Sequence, residues 1–218
     1  LIDRHANGVE VINDWDGFGQ RTTSSGTIIL NQVEIDPFLI FDERLLSTQT
    51  NYRGAFSQLM QVAIDVGIAE AAFADTLTAV QKARPIIDAQ VEQARFEHYT
   101  LQEIGKSNVL LDAAILLLDD AAEYLDELDA LEHITDPQAA KASILVAEAK
   151  VYANDAALHI SEKLLELGGS RSSLSTHNLD QHWRNARVHT LHDPIRWKLH
   201  ALGEYYLNHK LPARHAWI

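Results

Sequence analysis

The spacing of apolar residues changes near residue 50. Before that point Val9-Glu10-Val11-Ile12 and the run Thr27 to Ile35 are β-branched, the second partly alternating, and predict two strands. Between them lies Trp15 to Gly26, whose glycines and hydroxyl residues suit a tight hydrogen-bonded connection. Two or three strands do not make a stable sheet alone. Segment 1–49 therefore reads as part of a larger β-domain that needs strand partners. The chain opens on Leu1, not Met, inside this apparent β segment, and is expected to be a piece of a longer protein.

After residue 50 the period becomes helical. Leu59, Val62, Val66, Ala69, Phe73, Leu77 and Val80 recur at steps of three and four. Arg84-Pro85 ends this helix, because a residue before proline avoids the α region. A second face carries Leu101, Ile104, Leu111, Ile115, Leu118, Ala122 and Leu125, with Asn108 expected to interrupt it. Thr135-Asp136-Pro137 is a helix start. The third helix presents Ile144, Ala147, Val151, Leu158 and Leu165, and Gly168-Gly169 stops it. A short helix is expected near 178–188, and Asp193-Pro194 starts the last, with Asp193 as its cap. The expected fold is mainly α: an up-down four-helix bundle over 50–218 behind the β segment. Ala-rich secondary faces on the second and third helices suit either tight internal packing or a subunit interface.

Composition narrows the function. The chain has 218 residues, 46% of them apolar, so a packed core is expected. Against 31 Asp and Glu stand 18 Lys and Arg, a formal net charge of −13. That surface disfavours nucleic acid and anionic lipid, although a small basic pocket for one phosphate remains possible. Cysteine is absent, which excludes disulfides, thiolate metal sites and thiol catalysis. No apolar run suits a membrane span and no signal peptide opens the chain, so a cytoplasmic protein is expected.

Seven of the 11 histidines follow residue 176: His177, His182, His189, His192, His200, His209 and His215. His189 and His192 are spaced i,i+3, but Asp193-Pro194 puts them around a helix boundary and not on one helical face, and the long helices carry no Glu-x-x-His pair. No metal site is expected, and most of these side chains read as surface or capping groups. Arg171 lies in Gly168-Gly169-Ser170-Arg171-Ser172-Ser173, where glycine backbone, two hydroxyls and a guanidinium could cradle a phosphate. The same glycines also serve as an ordinary helix stop. The segment from His182 to Lys198 concentrates Trp, Arg and His in an otherwise acidic chain. It reads either as a cationic helix paired with acidic neighbours or as the wall of a pocket for a planar, phosphorylated ligand.

Two stretches carry a family resemblance. Trp15-x-Gly17-x-Gly19-Gln20-Arg21-x-Thr23-x-Ser25-Gly26-Thr27 resembles the end of the central β-domain in the acyl-CoA dehydrogenase superfamily, and the later helices resemble its C-terminal bundle. His182-Trp183-Arg184-Asn185-Ala186-Arg187, Thr190-Leu191-His192-Asp193-Pro194, Lys198 and Asn208 resemble the flavin-dependent monooxygenase branch, which includes the dibenzothiophene monooxygenases and sulfur-acquisition oxidoreductases. The resemblance spans essentially the whole chain and implies the second half of an enzyme.

By that resemblance, His192 stands where the dehydrogenases carry a catalytic Glu. On the first bundle helix, where others carry it, Ser57, Gln58 and Gln61 offer no carboxylate, and Asp65 is off the matching position. The resemblance therefore implies a monooxygenase using O2 and reduced FMN from a separate flavin reductase, acting on a small organosulfur molecule. His192 would control a proton near neutral pH. Arg171 and Arg84 resemble contacts to the FMN phosphate, with Gly169, Ser172 and Ser173 beside Arg171, and Arg84 would reach a flavin held mainly by a neighbouring subunit. A homo-oligomer, a dimer of dimers, is implied. The alternatives are an FAD-dependent acyl-CoA dehydrogenase and, for this stretch by itself, a non-catalytic helical oligomerisation module.

Overall fold

The computed structural model describes residues 2–42 and 49–218. Strands β1 (Val9–Ile12) and β2 (Thr27–Leu30) form an antiparallel hairpin in the register Val9 to Leu30 and Ile12 to Thr27. β2 ends earlier than its sequence pattern suggests, because Gln32 turns into the left-handed region at φ 48°. Asp14 ties the connection down, accepting from both the backbone N–H and the hydroxyl of Thr27. Val11, Ile28, Ile29 and Leu30 remain exposed on this hairpin, as do Phe38 and Phe41 beyond it.

Among the described residues five α-helices follow: α1 (Arg53–Lys82), α2 (His98–Asp129), α3 (Asp136–Gly168), α4 (Asp180–His189) and α5 (Ile195–Asn208). The first three are the long members of the bundle. α4 and α5 pack on α3 as a broken fourth member. α1 stops where the Arg84-Pro85 signal places its end. α3 starts at the expected place, with the Gln138 side chain reaching back to accept from the Thr135 N–H and hydroxyl. α2 runs through Asn108 without a break, because the Asn108 amide points outward and donates to Asp112 one turn on, 2.8 Å away. α3 ends at Gly169, whose φ of 72° and ψ of −172° suit glycine.

α3 lies at the centre and touches α1, α2, α4 and α5. Its Ala142, Ala149, Ala153, Ala156 and Ala157 meet Val62, Val66, Ala69 and Ala72 of α1 and Leu111, Ala114, Ala121 and Leu125 of α2 in one core. Small side chains let the helix axes approach closely. The alanine-rich faces are thus internal packing surfaces. The apolar residues left facing outward on α2 are larger: Leu101, Val109 and Leu116. No helix among the described residues is long and apolar enough to cross a membrane.

Candidate functional site

The two stretches that carry the family resemblance meet. The Gln20 N–H donates to Asn185 Oδ1 at 2.8 Å, Arg184 Nη1 donates to the Phe18 carbonyl at 3.2 Å, and the Phe18 and Trp183 rings stack. Gly19 permits this docking, since a Cβ there would stand 2.0 Å from the Arg184 carbonyl oxygen. The β-segment connection is therefore seated on α4.

α4 runs along α1. His182 bonds Asp75 at 2.8 Å near its start. His189, at its end, places Nδ1 2.6 Å from Asp65 and Nε2 2.9 Å from Gln61. His189 is thus buried against two oxygens and is not a surface histidine. Asp65 uses its second oxygen to accept from Lys150 of α3 at 2.7 Å, and both members of this pair are fully buried. Burying two charges is unfavourable unless they are paired and hydrogen-bonded; here each carboxylate oxygen has a donor.

A second pair lies beside the first. Asp193 and Lys198 are both buried, with Lys198 Nζ 2.8 Å from Asp193 Oδ2. The ammonium thus stands at hydrogen-bond distance from Oδ2, while Asp193 Oδ1 has no hydrogen-bond partner among the described residues. Lys198 also donates to the Trp217 carbonyl at 2.6 Å and to Gln58 Oε1 at 3.2 Å. Burial works to raise the Asp193 carboxyl, but Lys198, then Lys150 and His192, outweigh it and hold it below its usual value. Burial pulls Lys198 below the ordinary lysine value, with Asp193 opposing and Lys150 adding to the shift. Asp193 is therefore not the cap of α5. Pro194 occupies the cap position, and no side chain caps the helix. The carboxylate turns inward because a buried ammonium waits there.

His192 sits on the turn between α4 and α5, directly over this cluster. Its side chain is 46% exposed, with Nδ1 3.6 Å from Asp193 Oδ1. Its ring lies parallel to that of His189, centroids 6.5 Å apart. It is an accessible imidazole over two buried carboxylates that are each paired with a lysine.

Arg171 lies in the one-turn 3₁₀ helix Ser170–Ser173 and is exposed. The Ser172 side chain is buried and donates its single proton to the Leu165 and Gly169 carbonyls, so it braces the turn and has none left for a phosphate. Ser173 is exposed and donates to the Ser170 carbonyl. Gly168 fixes this turn against α1: a Cβ there would lie 3.3 Å from Ala79 Cβ. Arg84 is exposed just past the end of α1, and Arg95 reaches the same end through Gln81. The structure thus gathers Arg171, Arg84 and Arg95 at one end of α1. His192 lies toward the other. From Gln61, at the His189 contact, to Ala79, at the Gly168 contact, α1 rises about 27 Å. Two exposed guanidiniums suit a phosphate dianion, so the residues present fit the group. Among the described residues no group of three His, Asp or Glu side chains could hold a metal ion.

Asp65, Lys150, His189, Lys198 and Gln58 were not singled out as a site from sequence. A readable trace exists: Lys150 falls among Ala147, Ala149 and Ala153 on the buried stripe of α3, where a solvated lysine does not belong.

The family model described as acyl-CoA dehydrogenase, C-terminal domain, matches residues 59–197. The chain is similar to a probable FMNH2-dependent monooxygenase of Pseudomonas putida, 34% identical over 94% of this chain and 53% of that protein. It superposes on the FMN-bound dibenzothiophene monooxygenase of Paenibacillus sp. A11-2 with a TM-score of 0.92 at 28% identity, covering 100% of this chain and 56% of that one. For the methanesulfinate monooxygenase of Pseudomonas fluorescens the TM-score is 0.90 at 32% identity, over 100% of this chain and 57% of the other. The chain spans about half the length of the curated relatives it matches.

Proposed function

Because this chain belongs to the acyl-CoA dehydrogenase family, carrying its C-terminal domain, we propose that it is the C-terminal part of a monooxygenase dependent on reduced FMN and O2. Its substrate class would be small organosulfur compounds, and a separate reductase would supply the reduced flavin. Residues 1–49 belong, on this reading, to the central β-domain and 50–218 to the bundle. The observation that carries the reading is the accessible imidazole of His192 on a turn whose two neighbouring carboxylates are unusable as bases. Asp193 and Asp65 are buried and each is paired with a lysine, so neither can reach an acyl substrate to take its α-proton. An imidazole offers a different service, giving and taking a proton near neutral pH. Reduced flavin, when bound, supplies the electrons that activate O2. This chain's residues would hold its phosphate through Arg171 and Arg84, while the Gly169 N–H and the Ser173 hydroxyl are taken up by the Glu166 and Ser170 carbonyls, and His192 would serve a ring held by another copy.

The enzyme is accordingly a homo-oligomer whose sites are completed across subunits. The placement of the Arg171 turn and of His192 toward opposite ends of α1 supports this, as does the outward apolar row Leu101, Val109 and Leu116. The test uses the full-length protein with reduced FMN and O2. His192→Ala and Arg171→Ala are each expected to lose most turnover, about 10²-fold or more for His192. Mixed before assembly, the two variants are expected to regain about a quarter of wild-type activity, because half the pairs are mixed and each holds one intact site of two. Wild-type turnover by His192→Ala, or no recovery on mixing, would overturn the proposal.

A further inference from the structure

The buried cluster beneath His192 contains two anions, Asp65 and Asp193, and two cations, Lys150 and Lys198. The Asp65–Lys150 pair is closed by hydrogen bonds. In the Asp193–Lys198 pair only Oδ2 meets the ammonium, and Oδ1 is left to face the surface, 3.6 Å from His192. An unopposed carboxylate at that distance would favour the imidazolium. Lys198 opposes it at 2.8 Å. The ammonium is itself held by the Trp217 carbonyl and Gln58 Oε1, so it cannot swing away.

We propose that Lys198 is a positioning residue that sets the protonation of His192 by neutralising Asp193. The inference rests on His192 being the proton-handling group of the site. Asp193 then stands 3.6 Å from the imidazole with its charge offset by Lys198. The geometry explains why a lysine is buried in α5 at all: burying an ammonium is unfavourable, and an apolar side chain would leave Asp193 free to act on His192.

Other charged and titratable groups lie around the turn, with Arg187 in the last turn of α4 and Arg196, exposed, in the first turn of α5. Asp65 of α1 and Lys150 of α3 cancel each other, and Gln58 and Gln61 are neutral. His189 of α4 is engaged on both ring nitrogens. His200, Glu204, Lys210 and His215 line a 360 Å³ cavity on the far side of Asp193. Glu204 and Lys210 form an ion pair at 3.3 Å there.

The experiment is an NMR titration of His192 in the flavin-free protein, its signal assigned by loss in His192→Gln. Lys198→Met is expected to raise the His192 midpoint by about one unit, the scale set by an opposite charge within a few ångströms. Asp193→Asn is expected to lower it, leaving Lys198 unopposed. The double variant Asp193→Asn with Lys198→Met removes both charges and is expected to restore the wild-type midpoint. It also protects the test against misfolding, because replacing both members of a buried pair is far milder than removing one. An unshifted midpoint in Lys198→Met, or a double variant that follows Asp193→Asn, would overturn the proposal. The readout involves no turnover, so failure of the monooxygenase reading in the assay above would leave these midpoints as they are.

Discussion

Asp65→Asn isolates the energetic role of the buried cluster. The change keeps the side-chain volume and removes the charge that faces Lys150 at 2.7 Å, with both groups fully buried. Removing one member of a buried pair costs about 3–5 kcal/mol. An independent estimate agrees: if the stranded ammonium escapes by releasing its proton at pH 7, a lysine of ordinary pKa requires about 4.6 kcal/mol. For a domain of this size the loss corresponds to a fall in melting temperature of roughly 6–20 °C. The second estimate also gives a pH dependence. In the variant the unfolded chain would bind one more proton than the folded one, so stability would rise with pH. Between pH 7 and pH 9 the penalty should shrink by about 2.7 kcal/mol. Urea unfolding followed by far-UV circular dichroism at both pH values measures this directly. Asp65→Asn combined with Lys150→Met removes both charges and should recover most of the stability at pH 7. An Asp65→Asn variant as stable as that double variant would refute the reasoning.

Three further predictions concern backbone and charge. Gly169→Ala forces a side chain into a conformation, φ 72° and ψ −172°, that suits glycine, and should cost about 1–3 kcal/mol in a thermal melt although its Cβ would meet no neighbour. Gly19→Ala drives a Cβ into the Arg184 carbonyl, so the connection should lift from α4; limited proteolysis should cut between Trp15 and Gly26 faster than in wild type, with the bundle left intact. Asp193 is held below its usual carboxyl value, so its contribution to stability is present above the unfolded pKa and is lost as pH falls through the folded one. Urea midpoints measured downward from pH 5 should therefore fall less steeply in Asp193→Asn than in wild type.

What the sequence disclosed follows from how local each signal is. α1, α2 and α3 were readable because apolar periodicity and capping residues act within one element: Pro85 ends a helix, and Thr135 with Gln138 starts one. Local signals failed where a distant group decided the outcome. Asp193 has the sequence position of a cap, yet turns inward because Lys198, five residues on, is buried beneath it. His189 looks like one more exposed histidine in a histidine-rich tail until α4 is laid on α1 and Asp65 meets it. The alanines of α3 could have faced a partner; the central position of that helix turns them inward. The cluster itself draws Asp65, Lys150, His189 and Lys198 from four elements, and no spacing along the chain joins them.

That cluster also bears on whether the bundle serves only for association. An apolar core of the same volume would be as stable or more so, and α1 and α3 carry Val62, Val66, Ala69 and Ala72 and Ala149, Ala153, Ala156 and Ala157 in such a core. Among the described residues the buried charges of these two helices, Asp65 and Lys150, lie beneath the turn that carries His192. At the opposite end of α1 the chain places exposed arginines, in a molecule whose net charge of −13 would otherwise repel a phosphate. An oligomerisation module needs neither feature. A site divided between copies needs both: a proton-handling group held over balanced charges at one end of α1, and a phosphate anchor at the other, presented to the next flavin.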